Sequence, residues 1–407
     1  MNVGRIRHAL WLLACVALAA LAWAAAPALS TDRYLPTAVD FEQRLGGVSR
    51  VAAPAAAKRR KGEGPVTHVS PILRAPKRFD LAGLARELRP IELRARKEGG
   101  EWSEWIETAN GDPVYFGGAD ELQLRTRGYR PRGKVHYVNV SGTTSTGDSL
   151  LTGFRKAVNS AFIAAAAVVD SPADAAVTRP PIVKRNEWGA TKAKGGCKPR
   201  KKPPEKGIVK GAVVHHTVTA GEYTAEEAPS IVLGICRYHR NGNGWNDIGY
   251  NALVDRFGTI YAGRGGGIRK AIIGAHAQGF NAQTTGVAAI GTHGTVPLSP
   301  QTVGSIAHFL AWKLTAHAVP ARGKMTLTSA GGAAGRYPRG KRVRVKRIIG
   351  HRDVNTTSCP CGAAYLQIPQ IRKLAQERID AGGGTPETPI DPAGPPPEDP
   401  TGGVLPK

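Results

Sequence analysis

Histidine and cysteine residues that could bind a metal ion occur in two motifs far apart in the chain. The first is Val213-Val214-His215-His216-Thr217, and the second begins about 135 residues later with Gly350-His351-Arg352-Asp353 and ends at Cys359-Pro360. One histidine from each motif together with Cys359 would give zinc three ligands and leave its fourth position open. An open position is the mark of a catalytic zinc, which lowers the pKa of a bound water to about 7. The pattern therefore indicates a zinc hydrolase.

The sequence around both histidine motifs predicts that each follows a β-strand. A short apolar stretch ends at Val214, and the alternating stretch 341–349 leads into His351. A strand end suits a metal ligand because the sheet fixes its backbone. Successive strand residues point to opposite faces, so only one of His215 and His216 is expected to bind the metal. The other would pack or orient its neighbour.

Cys359 has two other possible roles. It could form a nucleophilic pair with His351, but this would leave His215 without a function. It could also form a disulfide with Cys361, which would abolish the metal site; a bridge across a single residue is strained. If Cys359 binds zinc instead, the simplest disulfide joins Cys197 and Cys236.

Residues 1–30 resemble an export signal, with Arg5 and Arg7 before an apolar run and Ala26-Pro27-Ala28 as a cleavage site. We therefore expect a secreted, cell-wall-associated protein in an oxidising compartment. An uncleaved segment that tethers the chain to a membrane is the alternative, and lipidation at Cys15 is a minor one.

The formal net charge of +25 favours polyanionic partners. The basic runs 198–202 and 339–347 are expected to attract anionic wall polymers. They lack interleaved aromatic residues, so no specific nucleic-acid binding is expected.

Composition and periodicity divide the chain into six parts. We expect a signal peptide at 1–30, a flexible spacer at 31–64, a small β-rich module at 65–140, a linker at 141–179 with a helix near 154–169, a domain at 180–380, and a disordered Pro/Gly-rich tail at 381–407. The module shows strands that alternate apolar and polar residues, as at 91–96. The domain mixes strands with helices, so we expect an α/β fold, including a hairpin at 249–261, a strand at 341–349 and a last helix around Pro369.

Several motifs of the domain occur in the order typical of one family. They are 183–190 (VKRNEWGA), 213–217 (VVHHT), 244–251 (GWNDIGYN), 261–264 (YAGR), 274–281 (GAHAQGFN), and 350–353 (GHRD) through Cys359-Pro360. Residues 180–378 thus resemble a peptidoglycan recognition protein domain of the type-2 N-acetylmuramoyl-L-alanine amidases. The chain is similar to the secreted actinobacterial branch. The resemblance implies a mixed central β-sheet flanked by helices, with a zinc groove on one face and a small all-β module in front.

The resemblance also implies the roles of individual residues. His215, His351 and Cys359 would hold one zinc ion per chain, while Tyr250 and Thr357 would steady the oxyanion as the lactyl–L-Ala amide of peptidoglycan is hydrolysed. No general base is evident. The alternative is a non-catalytic peptidoglycan-binding module, of which loss of Tyr250 or Cys359 would be the sign, and neither is lost. A monomer is expected.

The same resemblance assigns residues that would bind the stem peptide of a muropeptide. His239 and His276 would line the groove, and Asn281 belongs to the same set. Gly244-Trp245 and Arg264 are typical of proteins that bind diaminopimelate-type peptides, since a guanidinium can hold a carboxylate through two hydrogen bonds. Cys361 departs from the family pattern, in which glycine is usual.

Overall fold

The structure, a computed structural model, describes residues 37–51, 66–142, 177–201, 204–219 and 221–383. The expected signal peptide, most of the spacer, the helix near 154–169 and the tail beyond 383 lie outside these ranges. Within them, no helix has the length and apolar character needed to cross a membrane.

The β module is a nine-stranded sheet built almost entirely from antiparallel pairs. Its strands follow the order β1-β8-β4-β7-β3-β2, and β5 and β6 extend from β7. In β5 buried residues alternate with half-buried ones, as its sequence predicts. The strands are β1 (Val39–Arg44), β2 (Ser49–Arg50), β3 (Val66–Val69), β4 (Leu73–Leu84), β5 (Ile91–Arg96), β6 (Ile106–Thr108), β7 (Val114–Arg127), β8 (Lys134–Asn139) and, from the domain, β11 (Val218–Thr219).

Strand β1 differs from expectation, because its residues fall in the segment 31–64 that composition assigns to a flexible spacer. It pairs with β8 along its whole length. The ring of Phe41 stacks on that of Tyr137 with centroids 5.1 Å apart, and the Asp40 carboxylate accepts a 2.8 Å hydrogen bond from Arg237. These long-range contacts order a stretch whose own composition does not favour a strand.

The domain has a six-stranded mixed sheet in the order β17-β10-β14-β12-β13-β9, with helices on both faces. Strands β10, β14 and β17 run parallel, while β12 and β13 form the expected antiparallel hairpin. The predicted α/β fold is thereby confirmed. The elements are β9 (Ile182–Val183), β10 (Ala212–His216), β12 (Ala252–Val254), β13 (Ile260–Ala262), β14 (Thr285–Ala289), β17 (Ile348–Gly350), α1 (Ala228–Arg237), α2 (Pro300–Thr315) and α3 (Gly362–Ala381).

The stretch 341–349, expected as one strand, is two strands in different sheets. β16 (Arg342–Lys346) pairs with β15 (Lys324–Thr328) in a separate hairpin, where Leu327 lies opposite Val343. After Arg347 the chain enters the central sheet as β17. The apolar residues of the hairpin pack in a separate cluster with Val213 of β10 and Ile349 of β17. The expected last helix is present as α3, which begins at Gly362 and contains Pro369 in its interior.

The β module and the domain share a hydrophobic core. Strand β7 pairs in parallel with β11 of the domain. Leu81 of β4 is fully buried and lies against Gly234 of α1, where an added Cβ would come within 2.3 Å of Leu81 Cδ1. Both parts belong to one compact unit. Tight apolar packing of this kind makes the module an integral part of the fold.

Replacement of Leu81 by Ala tests this shared core. We expect Leu81→Ala to lower the free energy of unfolding by about 2–5 kcal/mol, since it leaves a cavity between the module and α1. Denaturant unfolding of the full chain measures the change, and Ile72→Ala, at an exposed position of the module, should change it by no more than about 0.5 kcal/mol. Unchanged stability of Leu81→Ala would contradict a shared core.

Candidate active site

Parallel pairing of β10 with β17 brings the two histidine motifs together. Val214 lies opposite Gly350 in the register. His215, the next residue of β10, and His351, which directly follows β17, therefore lie side by side with ring centroids 4.4 Å apart. A 3-10 turn at His351–Asp353 and the loop after it then return Cys359 to the same place, with its Sγ 3.8 Å from His215 Nδ1. One ligand atom from each of the three residues lies within 4.8 Å of the others. We call these three residues the ligand cluster.

The environment of the ligand cluster fits a zinc ion. All three side chains are buried. Burial lowers the pKa of His351 to about 3 and holds the pKa of His215 well below its usual value, so both rings are neutral, the form that binds metal. Among the described residues, neither ring nitrogen of His351 has a hydrogen-bond partner. Burial also raises the pKa of the Cys359 thiol, and a cation would favour the thiolate.

His216 lies on the opposite face of β10, as strand alternation predicts. Its Nδ1 accepts a hydrogen bond from the backbone N–H of His293 at 3.4 Å, and its Nε2 lies 3.5 Å from Cys361 Sγ. No disulfide joins Cys359 and Cys361, so the alternative pairing does not form. Cys197 and Cys236 form the expected one.

The side chains predicted to act in catalysis surround the ligand cluster. The ring of Tyr250 lies 5.3 Å from that of His215 between centroids. Burial, followed by the charge of Asp112, raises the pKa of Tyr250 well above its usual value and keeps the phenol protonated. Thr357 Oγ1 accepts a 3.2 Å hydrogen bond from the backbone N–H of Cys359. That bond uses a lone pair of the Thr357 hydroxyl, so its proton can be donated elsewhere.

Three of the residues predicted to bind substrate line one cavity of about 210 Å³. Gly244, Trp245 and Arg264 border it together with Arg200 and Lys201. The guanidinium of Arg264 also donates to the backbone carbonyl of Ile248 at 3.1 Å, which holds it in place. The three cations of the lining outnumber its two carboxylates, Glu205 and Asp247, and therefore suit the anionic end of a peptide.

The other three predicted substrate residues lie elsewhere. His276 is buried beside the ligand cluster, its Nδ1 3.0 Å from His215 Nε2, and it orients that ring. Asn281 is buried, and its side-chain oxygen accepts hydrogen bonds from the backbone N–H groups of His276 and Ala277, so it shapes their loop. His239 is fully buried, with its ring 4.7 Å from the Trp245 ring between centroids.

One polar residue at the site was not found from the sequence. Asp112 lies in the turn between β6 and β7 of the β module, and its Oδ1 accepts a 2.7 Å hydrogen bond from the Tyr250 hydroxyl. The same oxygen is 3.0 Å from His239 Nε2. The stretch Asn110-Gly111-Asp112-Pro113 predicts a turn and nothing more, so no local signal linked it to the domain.

The buried histidines predict a loss of stability in acid. The folded-state pKa values of His276 and His351, about 3, lie below the ordinary 6.5, so the unfolded chain binds more protons between these values. Stability is then complete above pH 6.5 and falls towards pH 3, by up to ~1.4 kcal/mol per pH unit for each such histidine. Urea unfolding of the metal-free protein at pH 7, 6 and 5 should show this fall, and less of it in His276→Gln. An equal pH dependence in the variant would argue against a buried neutral His276.

The sequence matches known proteins over this domain. The family model of N-acetylmuramoyl-L-alanine amidases matches residues 205–362. Peptidoglycan-recognition protein SC2 of Drosophila simulans is 30% identical over 181 residues, which are 44% of this chain and 79% of the relative. Peptidoglycan-recognition protein SA of Drosophila melanogaster is 36% identical over 112 residues, 28% of this chain and 50% of that protein.

Two solved structures are similar as well. Wild-type PGRP-LB of Drosophila is 23% identical, with 46% of this chain and 92% of that chain covered and a TM-score of 0.35. The endolysin amidase LysCS of Clostridium intestinale is 22% identical, with 48% and 96% covered and a TM-score of 0.32.

The sequence relationship extends over about four fifths of the Drosophila simulans protein. The chain therefore belongs to the peptidoglycan recognition protein and type-2 amidase family.

Proposed function

We propose that this protein is an exported, zinc-dependent N-acetylmuramoyl-L-alanine amidase that hydrolyses the lactyl–L-Ala amide of peptidoglycan. The observation that carries the proposal is the convergence of His215, His351 and Cys359 on one point. Two neutral imidazoles and a thiol form a three-ligand set of the catalytic type. The match of residues 205–362 to the amidase family model supports the same assignment.

Zinc bound by the ligand cluster would polarise the scissile carbonyl and lower the pKa of the attacking water. Polar side chains of the protein would contact the reacting atoms of the substrate. Thr357 would donate to the developing oxyanion, since its bond to the Cys359 N–H leaves the hydroxyl proton available. One such donor contributes ~3 kcal/mol to lowering the barrier. Tyr250 would act on the same reacting atoms from the side of His215.

The cavity that Trp245 and Arg264 line would take the stem peptide. Its cations suit a residue that carries an extra carboxylate, and Arg264 can hold such a group through two hydrogen bonds. The substrate would thus be peptidoglycan of the diaminopimelate type. The exposed basic side chains of β16, Arg342, Arg344 and Lys346, would add attraction to anionic wall polymers.

A non-catalytic role in peptidoglycan recognition is the second candidate. It is favoured by the cavity itself, whose lining contains none of the three members of the ligand cluster. Such a cavity could hold a stem peptide without hydrolysis. The Drosophila relatives carry peptidoglycan recognition in their names.

Loss of a ligand separates the two candidates. We expect Cys359→Ser to reduce bound zinc and to abolish release of free stem peptide from muropeptides, because the softer thiolate ligand is lost. Metal analysis and mass spectrometry of the digest measure both, with and without a chelator. The matched control Cys361→Ser removes the neighbouring thiol outside the ligand cluster and should retain both properties. Hydrolysis that persists in the chelated protein, or wall binding without any product, would rule out the zinc amidase.

Replacement of Arg264 tests the substrate class. We expect Arg264→Ala to raise KM for diaminopimelate muropeptides about tenfold or more, since a charge-assisted hydrogen bond contributes roughly 1.5–3 kcal/mol. KM for lysine-type muropeptides should change little. Arg269→Ala, which replaces an exposed arginine five positions further along the chain, serves as the control. Equal effects on both substrates would show that Arg264 does not read the additional carboxylate.

A further inference from the structure

The turn between β6 and β7 of the β module is fixed against residues of the domain. The Gly111 carbonyl accepts a 2.6 Å hydrogen bond from the Asn243 side chain, and the backbone N–H of Arg86 donates to Asn243 Oδ1 at 3.2 Å. Gly111 has φ +79°, and an added Cβ would lie 2.6 Å from Asn243 Nδ2. Only glycine allows this approach. The backbone N–H of Asn110 also donates to Leu88 O at 2.9 Å, so the turn is held from both sides.

This turn places the Asp112 carboxylate between two side chains of the domain. The Tyr250 hydroxyl is 2.7 Å and His239 Nε2 is 3.0 Å from the same carboxylate oxygen. His239 Nδ1 accepts a 3.2 Å hydrogen bond from the Gly249 backbone N–H, so the proton of the neutral ring is on Nε2 and is donated to Asp112. An ionised carboxylate only accepts hydrogen bonds, hence the Tyr250 hydroxyl is also a donor to Asp112.

We propose that Asp112, contributed by the β module, is a positioning residue of the amidase site. Its carboxylate accepts the hydrogen bond that the Tyr250 hydroxyl donates, and it fixes the ring of His239. The inference rests on the proposed function. Because the Tyr250 hydroxyl donates its proton to the hydrogen bond with Asp112, the Tyr250 oxygen can only accept a hydrogen bond from a ligand, such as one from the attacking water. The expectation that Tyr250 steadies the oxyanion is thereby revised, and Thr357 is left as the donor.

The packing around the module makes Asp112 a permanent member of the site. The module is joined to the domain by the β7–β11 pairing and by the burial of Leu81 against α1. The half-buried ion pair of Asp40 with Arg237, 2.8 Å long, adds a second polar anchor. A module that was released during each reaction cycle would have to expose this apolar surface, which is costly.

The test compares Asp112→Ala with Asp112→Asn in the full chain. We expect Asp112→Ala to lower kcat about tenfold or more with KM nearly unchanged, because the Tyr250 hydroxyl loses its fixed direction. Asp112→Asn should retain most of kcat, since its amide oxygen can accept the same two hydrogen bonds. Asp40→Asn, a carboxylate of the same interface that does not touch Tyr250, is the matched control and should leave kcat unchanged. Zinc content and thermal stability should stay equal between Asp112→Ala and Asp112→Asn.

A second readout does not depend on activity. NMR should show the His239 proton on Nε2 in all three proteins, because the Gly249 N–H still donates to Nδ1. The Nε2 proton resonance should move upfield in Asp112→Ala, where its acceptor is lost, and much less in Asp112→Asn. An Asp112→Ala variant as active as the wild type, or more active because the turn obstructs the groove, would overturn the inference and leave the amidase assignment intact. A wild type without hydrolysis would overturn the assignment instead. An Nε2 proton resonance of His239 that is unchanged in Asp112→Ala would overturn the placement of Asp112.

Discussion

The structure depends on the parallel pairing of β10 with β17. Because Val214 lies opposite Gly350, the residues that follow them, His215 and His351, are neighbours, and two imidazoles meet although their motifs lie far apart in the chain. The 3-10 turn at His351–Asp353 then carries the chain back so that Cys359 joins them. Burial keeps the rings neutral. A one-residue change of register would place His216 at this point and send His215 to the opposite face.

The second constraint is that the β module is part of the domain's core. Leu81 and strand β7 join the module to α1 and β11, so their contacts cannot be separated without exposing apolar surface. One consequence is chemical: the turn that carries Asp112 is held at a fixed place beside Tyr250. The module thus contributes to the polar environment of the site. The alternating pattern of the module's strands gives no indication of this contribution.

Local patterns were enough to predict the elements that carry the ligand cluster, because strand alternation and motif spacing depend on neighbouring residues. They could not predict β1, whose order comes from Phe41 and Asp40 contacts with distant partners. The division of 341–349 between two sheets likewise depends on pairing with β15, whose alternating polar and apolar residues indicate a strand but not its partner. Asp112 was missed for the same reason, since its importance comes from tertiary packing against Tyr250. Asn281 belongs to a recognisable motif and was expected to bind substrate, but it is buried, and its side chain holds the loop at His276 through a hydrogen bond.

The central claim is that His215, His351 and Cys359 bind one zinc ion and leave it an open position. X-ray absorption spectroscopy at the zinc edge of the purified full chain tests this most directly. The account predicts two nitrogen ligands at about 2.0–2.1 Å, one sulfur at about 2.3 Å and a fourth light atom from solvent. A chain that binds no zinc, or a spectrum with two sulfur ligands that brings Cys361 into the coordination sphere, would contradict it.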